Sequence, residues 1–282
     1  MISRRTLLAR TAATASLLAM PAIARAQAWP SKPIKVVVPF GAGSSADIVP
    51  RIVMEQLQAQ LGQPVVVENR PGGGSTTGTA VVAKSDPDGY TLLATSSAYS
   101  VTPAIYHNLS YDPVKDLTAI AIMGSAPSVL IVAANAPYNT LAEFVAEAKA
   151  KPGTFNFASV GVGSAVHMAA ERFRVAAGYE AAHVPFKSGS EGLTEVMTGR
   201  IHYYFCTVNT ALPFIKEGKL KALAVSPKKR LSALPDVPTT IEAGFPNSDI
   251  PPGSACWPRP RRRRRSAPAS TPRSRRRSRP TW

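Results

Sequence analysis

The chain has 282 residues, with 33 lysines and arginines against 17 acids and a formal net charge of +16. Fifteen of those bases are arginines of the two ends, four within 1–28 and eleven within 251–282, where no acid stands, so residues 29–250 hold 18 bases against 17 acids. This nearly neutral body argues against binding to nucleic acid or an anionic membrane, two cysteines argue against a disulfide framework, and four histidines without ligand spacing argue against a metal site.

The first 28 residues read as an export signal. Ser3-Arg4-Arg5-Thr6-Leu7-Leu8 is a twin-arginine start, and an apolar run follows from Thr11 to Ala22. Ala24-Arg25-Ala26 or Ala26-Gln27-Ala28 then supplies small residues for cleavage. The run is too short, and too broken by Arg10, for a membrane anchor. A periplasmic mature protein is expected.

Ile34–Val38 is a β-branched strand, followed by the glycine- and serine-rich turn 41–45. From Asp47 to Leu61, apolar residues at Ile48, Ile52, Leu57 and Leu61 keep helical spacing and Gly62 closes the run, with Pro50 placed in the first turn. Val65–Val67 is a second strand, the loop 69–78 leads into a helix over 79–84, and Tyr90–Thr95 is a third strand ending in Ser96-Ser97. The alternation continues through strands at Val129–Val132, Phe155–Ser159, His183–Phe186, Ile201–Phe205 and Leu220–Val225, with helices at Leu141–Lys149, Val166–Ala177 and Leu193–Met197 between them. Such alternation implies an α/β protein with largely parallel sheets, whose ligands sit beyond the carboxyl ends of the strands.

The loops at those ends share one chemistry. Gly41–Ser45, Gly72–Thr77, Thr95–Ser97 and Gly161–Ser164 are rich in Gly, Ser and Thr, and Lys187-Ser188-Gly189-Ser190 adds one cation. Backbone N–H groups and hydroxyls at helix starts suit a small anion, a carboxylate or a phosphate, held by many hydrogen bonds. They offer little for doing chemistry. No acid–base pair, triad or metal cluster stands out, so neither an enzyme nor a cofactor is expected. Val162-Gly163-Ser164-Ala165-Val166 lacks the flanking glycines of a nucleophile elbow.

Two rival readings attach to the loops: plain βα turns, or a dinucleotide site. Gly41-x-Gly43-x-x-Ala46 fits the dinucleotide fingerprint, and Glu68 ends the next strand where a ribose-binding acid would sit. Pro39-Phe40 at the junction and Asp47 behind the loop, facing the pyrophosphate, weaken it. On that reading the chain would be an exported NAD(P)-dependent oxidoreductase. His167 either contacts ligand or caps its helix, His183 is structural, and Tyr203-Tyr204-Phe205 is core.

From Pro251 to Trp282 the composition turns abruptly to Pro, Arg and Ser. As written this is a disordered basic tail. Cys256-Trp257-Pro258 must be encoded TGY-TGG-CCN, and a displaced frame there reads Leu-Ala; allowed codons for Ala255 to Arg263 extend it to Met-Leu-Ala-Pro-Ala-Lys-Thr-Pro. A frameshift near Asp249–Pro252 is the preferred explanation. A non-functional truncated binding protein is then the third functional reading.

The ordered motifs resemble the Bug family, the substrate-binding proteins of tripartite tricarboxylate transporters. They are Pro30-Ser31-Lys32-Pro33-Ile34, Val38 through Arg51, Leu61 through Gly72, Asp86 through Leu93, Tyr111-Asp112-Pro113, His183 through Lys187, and Pro235 through Pro246. The resemblance covers almost all of residues 30–249. It implies a type II periplasmic-binding-protein-like fold of two α/β domains with the ligand cleft between them. Domain 1 would comprise 29–125 plus 226–250 and domain 2 would comprise 126–225.

The resemblance further implies a small carboxylate ligand (a dicarboxylate, tricarboxylate, aromatic acid or amino acid), a membrane transporter subunit as partner, and a monomer. By position the ligand role falls on Phe40, Gly43, Ser45, Asp47, Ser75, Thr77 and Ser97 of the first domain. Gly161, Gly163, Ser164 and Lys187 join from the second. Ser44-Ser45 stands where many relatives carry glycine, and His202 where an acid is usual; either tunes ligand choice or is neutral.

Overall fold

The structure, a computed structural model, describes residues 29–124, 126–249 and 254–258, the last five by their backbone. The signal read in residues 1–28 and the arginine-rich residues 259–282 lie outside these. From Lys32 onward the chain is one unit built on two five-stranded sheets.

The first sheet grows from β1 (Ile34–Val38), α1 (Ser45–Leu61), β2 (Val65–Asn69), a 3-10 turn at Gly73–Ser75, α2 (Thr76–Ala83), β3 (Thr91–Ser96), α3 (Ala98–Ile105) and β4 (Ala121–Gly124). The second takes β5 (Ser128–Ala133), α4 (Leu141–Ala150), β6 (Asn156–Ser159), α5 (Ala165–Ala177), β7 (Ala182–Pro185), α6 (Gly189–Met197), β8 (Tyr203–Thr207), α7 (Val208–Lys216) and β9 (Leu220–Val225). β10 (Ser254–Pro258) then returns to the first. The strand orders are β2-β1-β3-β10-β4 and β7-β6-β8-β5-β9.

Four β-branched residues, Ile34, Val36, Val37 and Val38, are buried in β1, with Lys35 the exception, and set the strand inside its sheet between β2 and β3, parallel to both. In the second sheet β6 is parallel to β7 and β8, whereas β5 runs antiparallel to β8 and β9. Both sheets are thus mixed, because the chain enters the second sheet, and re-enters the first, against the direction of the strands it meets.

The structure departs from the sequence reading in four further places. α1 begins at Ser45, two residues before the expected Asp47, so Pro50 falls in its second turn rather than its first. α3 and α7 each contain a proline, Pro103 and Pro213, which hid their helical spacing. Residues 226–249, expected in the first domain, pack on the second sheet. Val225 N–H donates to Pro238 and Thr240 N–H to Val225, while Ala243 and Phe245 cover one face of that sheet and Leu231 and Val237 the other. Lastly, β10 lies within the stretch read as a disordered tail. It pairs antiparallel with β3 and β4 through main-chain groups, which make little demand on composition.

The second sheet carries an aromatic core. Phe144 on α4 meets Tyr138, Phe155, Tyr179 and Tyr203 edge-on at centroid distances of 5.2, 5.5, 5.8 and 5.1 Å. Edge-to-face pairs of this kind add to the burial of the rings themselves. Phe144→Ala is expected to cost about 3–5 kcal/mol, lowering the midpoint of thermal unfolding by roughly 10 °C, as followed by circular dichroism.

Candidate ligand-binding cleft

In both sheets the carboxyl ends of the parallel strands lead into glycine- and hydroxyl-rich loops, and these loops meet. A methyl group on Gly41, after β1, would stand 1.8 Å from the Lys187 carbonyl oxygen, after β7. One on Gly74, after β2, would stand 2.6 Å from the Val162 carbonyl oxygen, after β6, and 2.3 Å from the Tyr106 hydroxyl. Thr210 of α7 donates its hydroxyl to the Gly43 carbonyl at 3.4 Å. Only residues without Cβ permit main chain to approach main chain this closely.

Two cavities flank Phe40 and Val160, which line both. The larger, of about 310 Å³, is walled by the turn Gly72–Ser75, by Tyr106, by Gly161 and Val162, and by Lys187. That is within the size range of small-molecule sites. The smaller, about 10 Å³, has the room of one water. It lies where three helices begin, and the residues that precede α1, α5 and α7 (Ser44, Ser164 and Thr207) all line it, with Ser45 and Ser96. Ser164 Oγ accepts the His167 N–H, but the buried Ser44 hydroxyl has no partner among the described residues. Three helix dipoles and this set of donors favour negative charge. Lys187 is the one cation among the described residues lining either cavity.

The loop after β1 is held from beneath. The Gly43 N–H donates to Asp47 Oδ2 at 3.0 Å. Asp47 Oδ1 accepts from Asn69 Nδ2 and Arg51 Nε, both at 2.9 Å. Asn69 Nδ2 also donates to the Phe40 carbonyl at 2.9 Å, and Arg51 Nη2 to Asn69 Oδ1 at 2.8 Å. The Asp47 carboxylate is buried, yet each oxygen is met and Arg51 balances its charge.

The model of the Tripartite tricarboxylate transporter family receptor matches residues 49–255. A UPF0065 protein of Bordetella pertussis is 36% identical over 245 residues, 86% of this chain and 76% of that protein. The solved periplasmic binding protein BugD superposes with a TM-score of 0.77 at 30% identity, covering 82% of this chain and 78% of BugD. MatC from Rhodopseudomonas palustris, solved with bound malate, does so with a TM-score of 0.77 at 29% identity, covering 82% of this chain and 79% of MatC.

The chain belongs to the tripartite tricarboxylate transporter receptor family. The family and its solved neighbours are substrate-binding proteins, not enzymes, so the oxidoreductase reading is set aside. Glu68, its expected ribose partner, instead pairs with Lys35 and Arg70.

Within this receptor the expected ligand residues divide by position. Phe40, Ser75, Gly161 and Lys187 line the larger cavity, and Phe40, Ser45 and Ser164 line the smaller. Gly43 and Gly163 sit in the loop backbones, both at positive φ. Asp47 is turned under its loop, where it braces Gly43. Ser97 and Thr77 are exposed and line neither cavity, and the Thr77 side chain folds back towards Gly72. Sequence reasoning passed over Thr207 and Tyr106, single residues at the end of a strand and of a helix with no pattern around them; it gave Ser96 only as part of the loop 95–97 and Tyr204 only as core. His202 bonds Asn156 at the start of β6, the end of the strand away from the cleft.

Gly41→Ala is expected to hold the two loops apart, since a side-chain rotation cannot relieve a backbone contact. Affinity for the ligand should fall about tenfold or more, a loss of ~1.4 kcal/mol or greater, with unfolding of the unliganded chain little changed. Calorimetric titration beside a thermal scan checks both.

Proposed function

We infer that this chain is a periplasmic receptor that captures a small dicarboxylate and delivers it to the membrane subunit of a tripartite tricarboxylate-type transporter. The observation that carries this reading is the chemistry of the cleft: backbone amides and hydroxyls from both sheets, and one cation, Lys187, at one side of a cavity of about 310 Å³. One carboxylate of the ligand rests on the glycine loops after β1, β2 and β6, and the second pairs with Lys187. The malate bound to MatC, at 29% identity, supports the ligand class. Ligand contacts to both sheets draw the loops together, so that capture and closure are one equilibrium. The twin-arginine start of the sequence supports export in the folded state.

A panel of succinate, malate, adipate, citrate, benzoate and acetate, scored by thermal shift, tests the reading. A dicarboxylate present at 100 times its dissociation constant stabilises by about 2.7 kcal/mol, a rise of roughly 5–10 °C. No shift with any dicarboxylate would overturn it. Lys187→Gln should weaken the best dicarboxylate about tenfold and acetate hardly at all, because removing one exposed-rim charge partner affects only the ligand that uses it. For export, changing Arg4 and Arg5 together to lysine should leave the unprocessed precursor in the cytoplasm, seen by immunoblotting of periplasmic fractions.

A further inference from the structure

Under the second-sheet loop lies a pair of histidines that the ligand reading does not use. His167, in the first turn of α5, accepts the Gly163 N–H on Nδ1 at 3.2 Å. His183, on β7, places Nε2 2.6 Å from Ser159 Oγ at the end of β6. That Ser159 oxygen accepts the Gly161 N–H at 2.9 Å and lies 3.2 Å from the Gly161 carbonyl. The two imidazoles are 4.1 Å apart between centroids, and Phe157 stacks at 6.1 Å from His167 and 5.1 Å from His183. Each ring therefore holds one end of the stretch 161–163 that walls the cleft.

This geometry sets the charge of His167. An N–H can be given only to an unprotonated ring nitrogen, so His167 is neutral with its proton on Nε2. A proton added at Nδ1 would face the Gly163 N–H, donor against donor, and the loop would have to turn away. A cation on either ring would also sit against its neighbour and partly away from water. We propose that His167 is a positioning residue whose neutral form holds the loop 161–164 in its ligand-binding shape, so that mild acid weakens capture of the carboxylate. This rests on the cleft being the ligand site.

The electrostatic surroundings point the same way. Burial lowers the pKa of His167, and burial together with His167 lowers that of His183 to about 4. Glu171, one turn along α5, acts in the opposite sense on both rings, but it is held by Arg174 at 2.7 and 3.1 Å. On β8, the buried, uncharged Tyr203 lies on the far side of Phe157, 5.4 Å from it, so that the phenylalanine ring separates it from the histidines. Because the folded loop lowers the proton affinity of these rings, its stability is whole above the ordinary histidine value of about 6.5 and declines as the pH falls from there towards 4.

The test is the affinity for the malate dianion by calorimetry between pH 7.5 and 5.0, each value corrected for the protonation of malate's second carboxylate, which sets in near the lower end of that range. The wild-type chain should weaken about tenfold across it. His167→Asn, whose amide oxygen can still accept the Gly163 N–H but cannot take up a proton, should bring the ratio between the two pH values to within about twofold of unity, whatever its affinity at pH 7.5. A flat wild-type profile, or a variant that keeps the wild-type slope, overturns the proposal. His167→Gln serves in the same way if the Asn variant does not fold. If no dicarboxylate binds at pH 7.5, the ligand reading fails, and the histidines are judged separately from imidazole and Gly163 amide resonances of the unliganded chain. A neutral His167 at pH 6, with the Gly163 resonance shifting as the ring protonates below that, supports the positioning role. A His167 that titrates at its ordinary value, with no movement of Gly163, refutes it.

Discussion

The contact on which the cleft depends is one between two stretches of main chain. Where Gly41 lies against the Lys187 carbonyl, no side chain separates the loop of one sheet from the loop of the other. The distance between the sheets is therefore fixed by backbone thickness, and amides of both reach the same small volume. A site made this way recognises an anion by geometry and by many weak dipoles rather than by a cluster of charge. The brace of Asp47, Asn69 and Arg51 belongs to the same design: it supplies ionic rigidity one layer behind the ligand while keeping its own charge balanced and out of the cleft.

Neutrality is the common property of the layers around this site. Ser44, Ser96, Ser164 and Thr207 present hydroxyls where other anion sites present arginines, and Lys187 stands alone among the lining residues as a cation. A carboxylate held by uncharged donors loses its water without gaining a strong ion pair, so binding stays reversible on the timescale a carrier needs. Two half-buried histidines without charge fit the same pattern.

Much of this was legible in the sequence. The β-branched run Ile34–Val38 followed by Gly41 and Gly43 announces a strand end and a helix start by composition alone, and the same holds for Gly161–Ser164. What escaped had two physical causes. β3 is buried on both faces through Ser96, and Ser97, the residue just past its end that leads into the next helix, is exposed, so choosing Ser97 over Ser96 selects the exposed neighbour of a buried residue. The function of Asp47 depends on Asn69, 22 positions away, and no local pattern carries that distance. The same reasoning misplaced residues 226–249. Their turns show apolar spacing but nothing that says which of two cores they cover, and Phe245 settles the matter by meeting Phe173 at 5.3 Å.

The position of β10 bears on the order in which the molecule is made. β10 lies between β3 and β4, so β4 joins its sheet only through a strand contributed after the whole second sheet has been synthesised. As the chain emerges from the ribosome, the second sheet has all its strands by residue 225, whereas the first waits for residue 258. The earlier-starting half is thus the later to finish. Its closure is a long-range event with a high entropic cost, and until it occurs β3 presents an open edge. A secretion route that accepts only finished proteins would suit a chain assembled in this order.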